Sequence, residues 1–256
     1  MTDFSLRIAS FNIRFGTAHD GIHSWRFRSF ATTRLIEKLN CDVIGLQEAH
    51  LFQIKKILRR VKRYEYVGNG RDGEEQGEHC PVLFDTSRWK IQDLDTQWFG
   101  STPNIVSTLT GAQFPRIVTH ARLLSPSGQC VDVFNTHLDH KDNKLRQQSM
   151  DQLLTMIDSD IPTVITGDFN AHRDNLVFSQ IEDKGLRFAH SPDCGGTDFY
   201  HYSLPGPNKA IDHILVSDHF DVVSAHVVRK RIWHMLPSDH WPVTAELRLR
   251  KQGIKS

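Results

Sequence analysis

The stretch Val164-Ile-Thr-Gly-Asp-Phe-Asn170 is the strongest structural signal in this chain, because a β-branched apolar run stops at Gly167 and is followed at once by Asp168 and Asn170. The run is typical of a buried strand, and the glycine marks its end. An acid and an amide two positions apart point to the same side if the chain stays extended, so both can face one reacting group. An Asx turn that merely ends the strand is the alternative interpretation.

The chain has 256 residues, a formal net charge of +1 and ordinary apolar and charged fractions. This length suits one large α/β domain, and no linker-like or low-complexity tract divides it, so we expect a single domain over residues 1–256. The near-neutral charge does not indicate a broad nucleic-acid-binding surface, although it is compatible with a local basic face.

The four cysteines, Cys41, Cys80, Cys130 and Cys194, are far apart and form no C-x-x-C pair, so we expect reduced thiols. The first residues show no basic and apolar leader pattern, and no run reaches the roughly 18 apolar residues of a membrane span. These observations predict a cytoplasmic protein that has no membrane partner and needs no obligate protein partner.

Polar side chains stand at the ends or the starts of the other predicted strands as well. The strand ends carry Asn12, Glu48, His137, and Asp168 with Asn170, and the strand starts carry Glu78, Asp212, and Asp239 with His240. In a sandwich of mixed sheets, neighbouring strands of opposite direction would bring these ends and starts to one edge. An acid such as Glu48 is also favoured in the first turn of a solvated helix, which is the alternative for that position.

Carboxylates, amides and histidines gathered at one edge predict a metal site. Oxygen-rich ligands without cysteine suit a hard divalent cation such as Mg²⁺, for which Mn²⁺ can substitute. Zinc would require more nitrogen or sulfur ligands. The sequence therefore predicts magnesium-assisted chemistry on a substrate that carries phosphate.

Apolar periodicity predicts two helices in the first part of the chain. One is expected to begin after a Ser24 cap and to run to about Leu39, with Phe27, Phe30, Ile36 and Leu39 roughly on one apolar stripe. The other covers residues 50–63 and presents a strongly basic outer face. That face is a candidate for contact with a phosphate backbone, although a solvated surface is the simpler interpretation.

Two polar segments are predicted to be long loops around a pocket, residues 96–116 and residues 191–207. Between them, Asp174 is expected to cap a short helix that ends at Gly185. The aromatic residues of the two loops are candidates for stacking on a base or a sugar, or for packing the loops themselves: Trp98, Phe99, Phe199, Tyr200 and Tyr202.

Seven motifs in one order give the chain a resemblance to the endonuclease/exonuclease/phosphatase superfamily, which has the fold of deoxyribonuclease I. They are Ser-Phe-Asn12, Gly-Leu-Gln-Glu48, Gly-Glu78-His, Asn-Thr-His137-Leu, Gly-Asp168-Phe-Asn170, Ile-Asp212-His-Ile-Leu and Pro-Ser-Asp239-His240. Each motif is weak alone, but together they span nearly the whole chain. The resemblance implies a four-layer α/β/β/α sandwich of two mixed β-sheets flanked by helices.

The resemblance also implies roles for the residues around the ion. Glu48 resembles the principal metal-binding carboxylate, Asn12 its companion, and Asp239 another acid close to the metal. Asp168 would orient or deprotonate the attacking water, and Asn170 would hold the phosphate.

Further roles follow in the same way for the phosphate and the leaving group. His240 resembles the histidine that faces the phosphate, with Asp212 fixing its tautomer. Glu78 and His137 resemble a pair that protonates or stabilises the leaving oxygen. Arg116 and His79 are further candidates for phosphate contacts, and each can instead be purely structural.

The expected reaction is metal-assisted hydrolysis of a phosphate ester by in-line attack of water. Within the family that the chain resembles, the Glu78 and His137 pair fits the nuclease, sphingomyelinase and deadenylase-like branches better than the apurinic endonuclease branch, which implies a nuclease or phosphodiesterase. A phosphomonoesterase that acts on a small phosphorylated metabolite, such as a sugar or inositol phosphate, is the alternative, because the same catalytic residues serve many substrates in such folds. A non-catalytic binding protein on the same fold is a remote third possibility.

Overall fold

The computed structural model describes residues 4–199, 202 and 209–250. The strands and α-helices of this part are, in chain order, β1 (Ser5–Asn12), α1 (Trp25–Leu39), β2 (Val43–Gln47), α2 (Leu51–Arg60), β3 (Tyr64–Val67), β4 (Val82–Asp85), β5 (Lys90–Trp98), β6 (Ile117–Leu124), β7 (Cys130–His137), α3 (Asn143–Thr155), β8 (Thr163–Asp168), β9 (Leu186–Phe188), β10 (Asp212–Ser217), β11 (Phe220–Val227) and β12 (Val243–Leu249). Short 3₁₀ helices lie at Gly21–His23, Leu176–Phe178, Glu182–Lys184 and Pro192–Cys194.

The strands form two mixed six-stranded sheets with the orders β11-β12-β1-β2-β4-β3 and β5-β6-β7-β8-β10-β9. Each sheet contains one central parallel pair, β1 with β2 and β7 with β8. The other neighbours run antiparallel. The two sheets are therefore built alike, and both present the ends of a parallel pair at the same edge of the sandwich.

The inner faces of the two sheets pack against each other in one apolar core that contains Leu6 and Val43 from the first sheet and Val131 and Val164 from the second. On the outside, α1 and α2 cover the first sheet. α3 covers the second sheet. This arrangement confirms the predicted α/β/β/α sandwich, in which strands with both faces covered are almost wholly apolar.

Several local predictions were wrong. Ile36 and Leu39 are buried as predicted, but Phe27 and Phe30 are 47% and 37% exposed, because the buried stripe of α1 also includes Arg28 and Thr32. The side chain of Ser24 makes no capping hydrogen bond. The exposure of the two phenylalanines follows from the inward positions of Arg28 and Thr32, which a pattern of apolar residues does not predict.

The predicted short helix after Asp174 is also wrong, since two separate 3₁₀ helices occupy residues 176–184 and Asn175 caps the first of them. The long loop predicted over residues 96–116 begins later, because β5 extends to Trp98. β5 was not predicted, because its residues alternate irregularly between exposed and half-buried positions. α3 is capped by Asp142, whose side chain accepts from the main-chain N–H groups of residues 144 and 145.

Candidate active site

Neighbouring strands deliver the predicted polar side chains to one edge of the sandwich. β1 and β2 run parallel, so they end together at Asn12 and at the residue before Glu48. In the second sheet β7 and β8 also run parallel, and their last residues, His137 and Asp168, lie opposite each other. β10 runs antiparallel to β8 and begins with Asp212 opposite Asp168. The ends of four strands and the start of a fifth therefore lie together.

Asn12 joins the two sheets at this edge. Its side-chain nitrogen donates to Glu48 Oε1 (3.0 Å) and to Asp168 Oδ2 (2.9 Å), and its side-chain oxygen accepts from the Arg14 main-chain N–H (2.9 Å). The second oxygen of Glu48 accepts from the main-chain N–H of Phe15 (3.0 Å). Because the oxygen of Asn12 is engaged by the main chain, its nitrogen faces the two carboxylates and fixes their separation.

The turns that carry these groups have unusual backbone conformations. Arg14, Glu48 and Asn170 all have positive φ angles, of 56°, 57° and 51°. Non-glycine residues other than asparagine adopt this region uncommonly, and such positions are enriched at functional sites. The strained turns therefore indicate that the positions of these side chains are set by the fold rather than by local preference.

Glu48 is held in its ionised form. Burial opposes its ionisation, but the hydrogen bond from Asn12 and the positive charges of His240 and Arg14 lower its pKa overall. Asp239 differs, because its burial outweighs the nearby positive charges and raises its pKa, while its Oδ2 lies 3.6 Å from Arg14 Nε. The two acids thus offer oxygens of different basicity to the same cleft.

His240 lies in a chain of ionisable groups. Its Nδ1 is 2.8 Å from Asp212 Oδ2, and its Nε2 is 3.9 Å from Asp168 Oδ2. Burial alone would lower the pKa of His240, but the charge and hydrogen bond of Asp212 raise it well above its usual value. The imidazolium form is therefore favoured, with Nε2–H free to point into the cleft.

Asp168 stands at the centre of the site, between His240 and His137, whose Nε2 lies 3.6 Å from Asp168 Oδ2. Burial and the neighbouring Asp212 raise the pKa of Asp168 to about 7. Its other oxygen accepts from the main-chain N–H of Asn170 (2.9 Å). A carboxylate with a pKa near neutrality is suited to accept a proton during a reaction and to release it afterwards.

Loops build the opposite wall of the cleft around Glu78. Arg71 Nη1 donates to Glu78 Oε2 (2.9 Å), and the pKa of Glu78 is raised to about 7 by burial and by the charge of Glu48. The buried Arg116 donates to the carbonyl oxygen of His137 and lies 3.4 Å from His140 Nδ1. Burial and the two arginines lower the pKa of His137 well below its usual value, so this histidine is neutral.

The structure brings most of the predicted site residues into one cleft of about 720 Å³. Those that line the cleft directly are Glu48, Glu78, Arg116, His137, Asp168, Asn170, Asp239 and His240. Asn12 and Asp212 lie behind them, fully buried and hydrogen-bonded to the lining carboxylate and imidazole groups.

His79 is not among the residues that line this cleft, so its predicted phosphate contact is not supported. Its side chain is only 1% exposed, and its Nδ1 lies 3.1 Å from the carbonyl oxygen of Gly77. The reason is local pairing, since the main chain of His79 forms a β-bridge with Ala49 and another with Gly70.

Sequence reasoning missed several residues that line the cleft: Arg14, Phe15, Thr17, His50, Arg71, Phe114, His140, Asp198, Lys209 and Ile211. Arg14 and Phe15 follow Asn12 directly, so proximity in sequence was an available signal. Arg71 lies in the glycine-rich segment before Glu78, and its guanidinium stacks on the Phe114 ring (4.7 Å), which no sequence pattern revealed.

The aromatic residues predicted to stack on a substrate mostly pack the protein instead. Trp98, Phe99 and Phe199 are buried, with exposures of 5%, 2% and 5%. Tyr202 is half-buried and stacks on the His23 ring. Tyr200 lies outside the described residues. The two aromatic side chains that line the cleft are Phe15 and Phe114, among the residues that the structure describes.

The basic face of α2 lies apart from the cleft. Lys56, Arg59 and Arg60 line a separate shallow groove together with Glu37. Arg60 is already paired there with Glu37. None of the lysines and arginines of residues 50–63, all of which the structure describes, lines the cleft that holds the predicted site residues.

Two groups of side chains have the spacing of metal ligands. The first comprises Glu48, His137 and Asp168, and the second comprises Asp168, Asp212 and His240, with the candidate atoms of each group within 4.8 Å of one another. In the second group, the hydrogen bond between His240 Nδ1 and Asp212 Oδ2 occupies one candidate ligand atom of each residue. The first opens to the cleft and presents carboxylate oxygens, which fit a hard divalent cation.

The family model of the Endonuclease/Exonuclease/phosphatase family matches residues 9–240. The chain therefore belongs to this family, and the resemblance seen in its seven motifs is confirmed. The match begins within β1 and ends at His240, so it includes every strand end that contributes to the cleft. No curated protein matches the chain.

Solved structures with the same fold include an endonuclease/exonuclease/phosphatase family protein from Bacteroides thetaiotaomicron, with 26% identity, a TM-score of 0.89 and coverage of 98% of this chain and 100% of that one. A mannosyl-6-phosphatase from the same species has 28% identity, a TM-score of 0.85 and coverage of 94% and 99%. The catalytic domain of human Nocturnin with a bound sulfate anion has 21% identity, a TM-score of 0.73 and coverage of 97% of each chain.

Among the residues described, none of the helices combines the length and the apolar character that crossing a membrane would require.

Proposed function

We propose that the protein is a divalent-metal-dependent phosphoester hydrolase that releases phosphate from a small phosphorylated compound, with a sugar phosphate as the leading candidate. One observation carries the proposal. Asp168, a buried carboxylate with a pKa near 7, lies beside the imidazolium of His240 and shares the Asn12 amide nitrogen with the ionised Glu48, in a cleft that also holds arginines. Such a cleft binds phosphate and moves a proton at the same place.

Glu48 and Asp239 are the proposed ligands of the ion, and Asn12 holds Glu48 in position through its side-chain nitrogen. Carboxylate oxygens with water completing the shell are the set that Mg²⁺ prefers, and Mn²⁺ accepts the same set. When bound, the ion would stabilise charge on the phosphoryl oxygens. The cluster of acids around Glu48 is itself an argument for a cation, because several negative charges buried together repel one another.

Each remaining residue has a task that its geometry supports. Asp168 accepts a proton from the attacking water. Hydrogen bonds from the Asn12 side chain and the Asn170 main-chain N–H fix its two oxygens for this task. His240, kept charged by Asp212, donates Nε2–H to a phosphoryl oxygen. Preorganised donors of this kind act on the charge that develops in the transition state.

Glu78 on the loop-built wall and His137 at the end of β7 face the leaving group. Because the pKa of Glu78 is raised to about 7, it carries a proton for much of the time near neutral pH and can give it to the departing oxygen. Arg116 is buried, and its two hydrogen bonds, to the carbonyl oxygen of His137 and to His140 Nδ1, are both long at 3.4 Å. Its guanidinium is therefore available to an anionic substrate.

Three observations favour a small substrate over the nuclease predicted from the sequence. The cleft volume of about 720 Å³ lies within the range of small-molecule sites. The basic face of α2 is separate from the cleft, as described above. A structural relative with 28% identity over almost its whole length is described as a mannosyl-6-phosphatase.

The test is a panel of substrates assayed with Mg²⁺, with Mn²⁺ and after chelation by EDTA. The panel contains hexose 6-phosphates, inositol phosphates, bis(p-nitrophenyl) phosphate, oligo(A) and single- and double-stranded DNA. We expect metal-dependent phosphate release from a monoester, little effect of moderate salt, and loss of activity in Asp168→Ala but not in the exposed control Asp160→Ala. Efficient cleavage of DNA or oligo(A), with activity that falls steeply with salt, would establish the nuclease instead.

A further inference from the structure

Arg28 is a fully buried cation on the inner stripe of α1, with an exposure of 0%. Its Nη1 donates to the carbonyl oxygens of Ile13 (2.7 Å) and Pro237 (3.2 Å), and its Nη2 donates to the carbonyl oxygen of Arg14 (2.8 Å). All three acceptors are main-chain groups. They belong to two chain segments, residues 13–15 and 237–240, which we call the site loops.

Thr32, one turn further along α1, contacts the same loops. Its Oγ1 donates a short hydrogen bond to the carbonyl oxygen of Pro237 and also lies 3.2 Å from that of Arg28. From the other direction, Ser238 Oγ donates to the carbonyl oxygen of Asn12 (2.8 Å). Polar bonds thus connect α1 to both site loops, and the two loops to each other.

The site loops carry the groups that the proposed reaction needs. The first follows Asn12, contains Arg14 with its positive φ, and supplies the Phe15 N–H to Glu48 Oε2. The second contains Asp239 and His240. The spacing between the Glu48 side and the Asp239 side of the cleft therefore depends on how the two loops are held against each other.

We propose that Arg28 and Thr32 are positioning residues that lock the two site loops together and so set the geometry of the metal and phosphate site. This inference rests on the proposed function, because it assigns the two residues to the same cleft. Neither touches the cleft itself, since neither is among its lining residues. They act through Phe15 and Glu48 on one side and through Asp239 and His240 on the other.

The chemistry of arginine suits this position. Its planar fork presents several N–H donors at fixed angles and can satisfy three carbonyl oxygens at once, which the single ammonium of lysine cannot do in the same geometry. Its charge also lies in the field of the nearby acids Asp239, Asp20 and Glu48, which partly offsets the cost of its burial. Arg28 therefore supplies both the hydrogen bonds and a compensating charge.

The test compares Thr32→Val with Thr33→Val. The two threonines are adjacent and buried, and valine preserves their shape. Thr33 Oγ1 bonds only to carbonyls of its own helix, those of Ser29 and Phe30. Both variants lose a buried hydroxyl, but only the first loses the bond to residue 237. Arg28→Lys is the third variant, which retains the charge and loses the fork.

Three measurements are made on each full-length variant: amide hydrogen exchange at residues 13–15 and 238–240, the dissociation constant for Mn²⁺, and kcat and KM. We expect Thr32→Val to speed exchange in both site loops, and to weaken Mn²⁺ binding and lower kcat by about tenfold, as supporting groups around metal ligands commonly do. KM should change by less than about twofold, since the substrate-binding wall is untouched. Thr33→Val should alter none of these quantities. Arg28→Lys should change the exchange rates, Mn²⁺ binding and kcat by more than Thr32→Val does.

The proposal is overturned if Thr32→Val and Thr33→Val show the same exchange in the site loops and the same kcat. If Arg28→Lys does not fold, the pair of threonine variants still decides. If the wild-type protein neither binds Mn²⁺ nor releases phosphate, the proposed function fails, and hydrogen exchange alone then tests whether the site loops are locked.

Discussion

The two walls of the cleft are built in different ways. On one wall, Asn12, Asp168 and Asp212 are the last or first residues of central strands, and their side chains are joined by hydrogen bonds of 2.8–3.0 Å or by a shared imidazole. On the other wall, Glu78 and Arg71 lie in loops. They are held by the ion pair between them and by the stacking of the Arg71 guanidinium on the Phe114 ring. We infer that the strand-built wall activates the water and holds the phosphate, and that the loop-built wall contacts the leaving group and so determines which substrate is bound.

This division has a physical basis. Residues at the ends of buried strands inherit their positions from the sheet, which is rigid and satisfied by main-chain hydrogen bonds, so they can be held to the tolerance that catalysis needs. Loop residues can change in sequence and length without disturbing that core, which makes them suited to recognise the variable part of a substrate. Mutations on the two walls should accordingly affect different kinetic constants.

The largest expected effect is that of Asp168→Asn, which keeps the shape of the side chain and removes its ability to accept a proton. We expect kcat to fall about 1000-fold, within the usual range for loss of a general base, with little change in KM. Steady-state kinetics on the best substrate measure this, with circular dichroism to confirm the fold and Asp160→Asn as the exposed control. Retention of more than about a tenth of the turnover would contradict the role of Asp168.

Asp212→Asn should have the next largest effect. Asp212 is fully buried and does not line the cleft, so it acts through His240, to which it is bonded at 2.8 Å. Without the carboxylate the imidazolium loses its main support, and we expect kcat to fall about 100-fold while substrate binding weakens less. The exposed Asp218→Asn is the control. A variant with unchanged kcat would show that Asp212 serves only to pack the sheet edge.

The two walls also differ in how far the sequence predicts them. Asp168, His137 and Glu48 follow recognisable strand patterns, so their meeting at one edge can be derived from strand order and direction. The contacts of Arg71 and His140 cannot be derived in this way, because loop conformations depend on tertiary packing that leaves no periodic pattern. The same limit explains why Asp198 and Lys209, which lie in an irregular segment, were missed.

Buried polar residues set a second limit on prediction. The apolar stripe of α1 was assigned to Phe27, Phe30, Ile36 and Leu39, whereas the structure exposes the two phenylalanines and turns Arg28 and Thr32 inward. Apolar patterns assume that polar groups face water, and the assumption fails where a side chain has main-chain carbonyls to satisfy it. His79 is a related case, since a β-bridge rather than its chemistry decides that it is buried.

Arg71→Met tests the loop-built wall. The variant keeps much of the apolar stem that packs near Phe114 and loses the charge beside Glu78. We expect KM to rise about tenfold with a smaller change in kcat, because the interaction is made equally in the ground state and the transition state. Arg59→Met, outside the cleft, is the matched control. If kcat falls and KM does not change, the two walls are not functionally distinct.

The smallest expected effect concerns the stability of the strand-built wall. His213 follows Asp212 on β10 and anchors the residue after Asn170, because its Nε2 donates to the carbonyl oxygen of Ala171 (2.9 Å) and its Nδ1 accepts from His190 Nε2 (2.9 Å). Burial and the neighbouring His190 lower the pKa of His213 to about 3. Both rings are therefore neutral in the folded protein.

A histidine whose pKa is lower in the folded than in the unfolded state binds a proton more tightly once the chain has unfolded. Acid therefore favours the unfolded state. The folded state keeps its full advantage above about pH 6.5, the unfolded value, and loses it progressively as the pH falls towards 3. Between pH 7 and pH 5, we expect the wild-type protein to lose about 2 kcal/mol more unfolding free energy than His213→Gln, in which this group cannot titrate. Urea denaturation at the two pH values measures the difference, with the exposed His226→Gln as control. Equal losses in all three proteins would mean that the pair of buried histidines does not hold the Asp168 to Ala171 turn against acid, and that the strand-built wall owes its rigidity to the sheet alone.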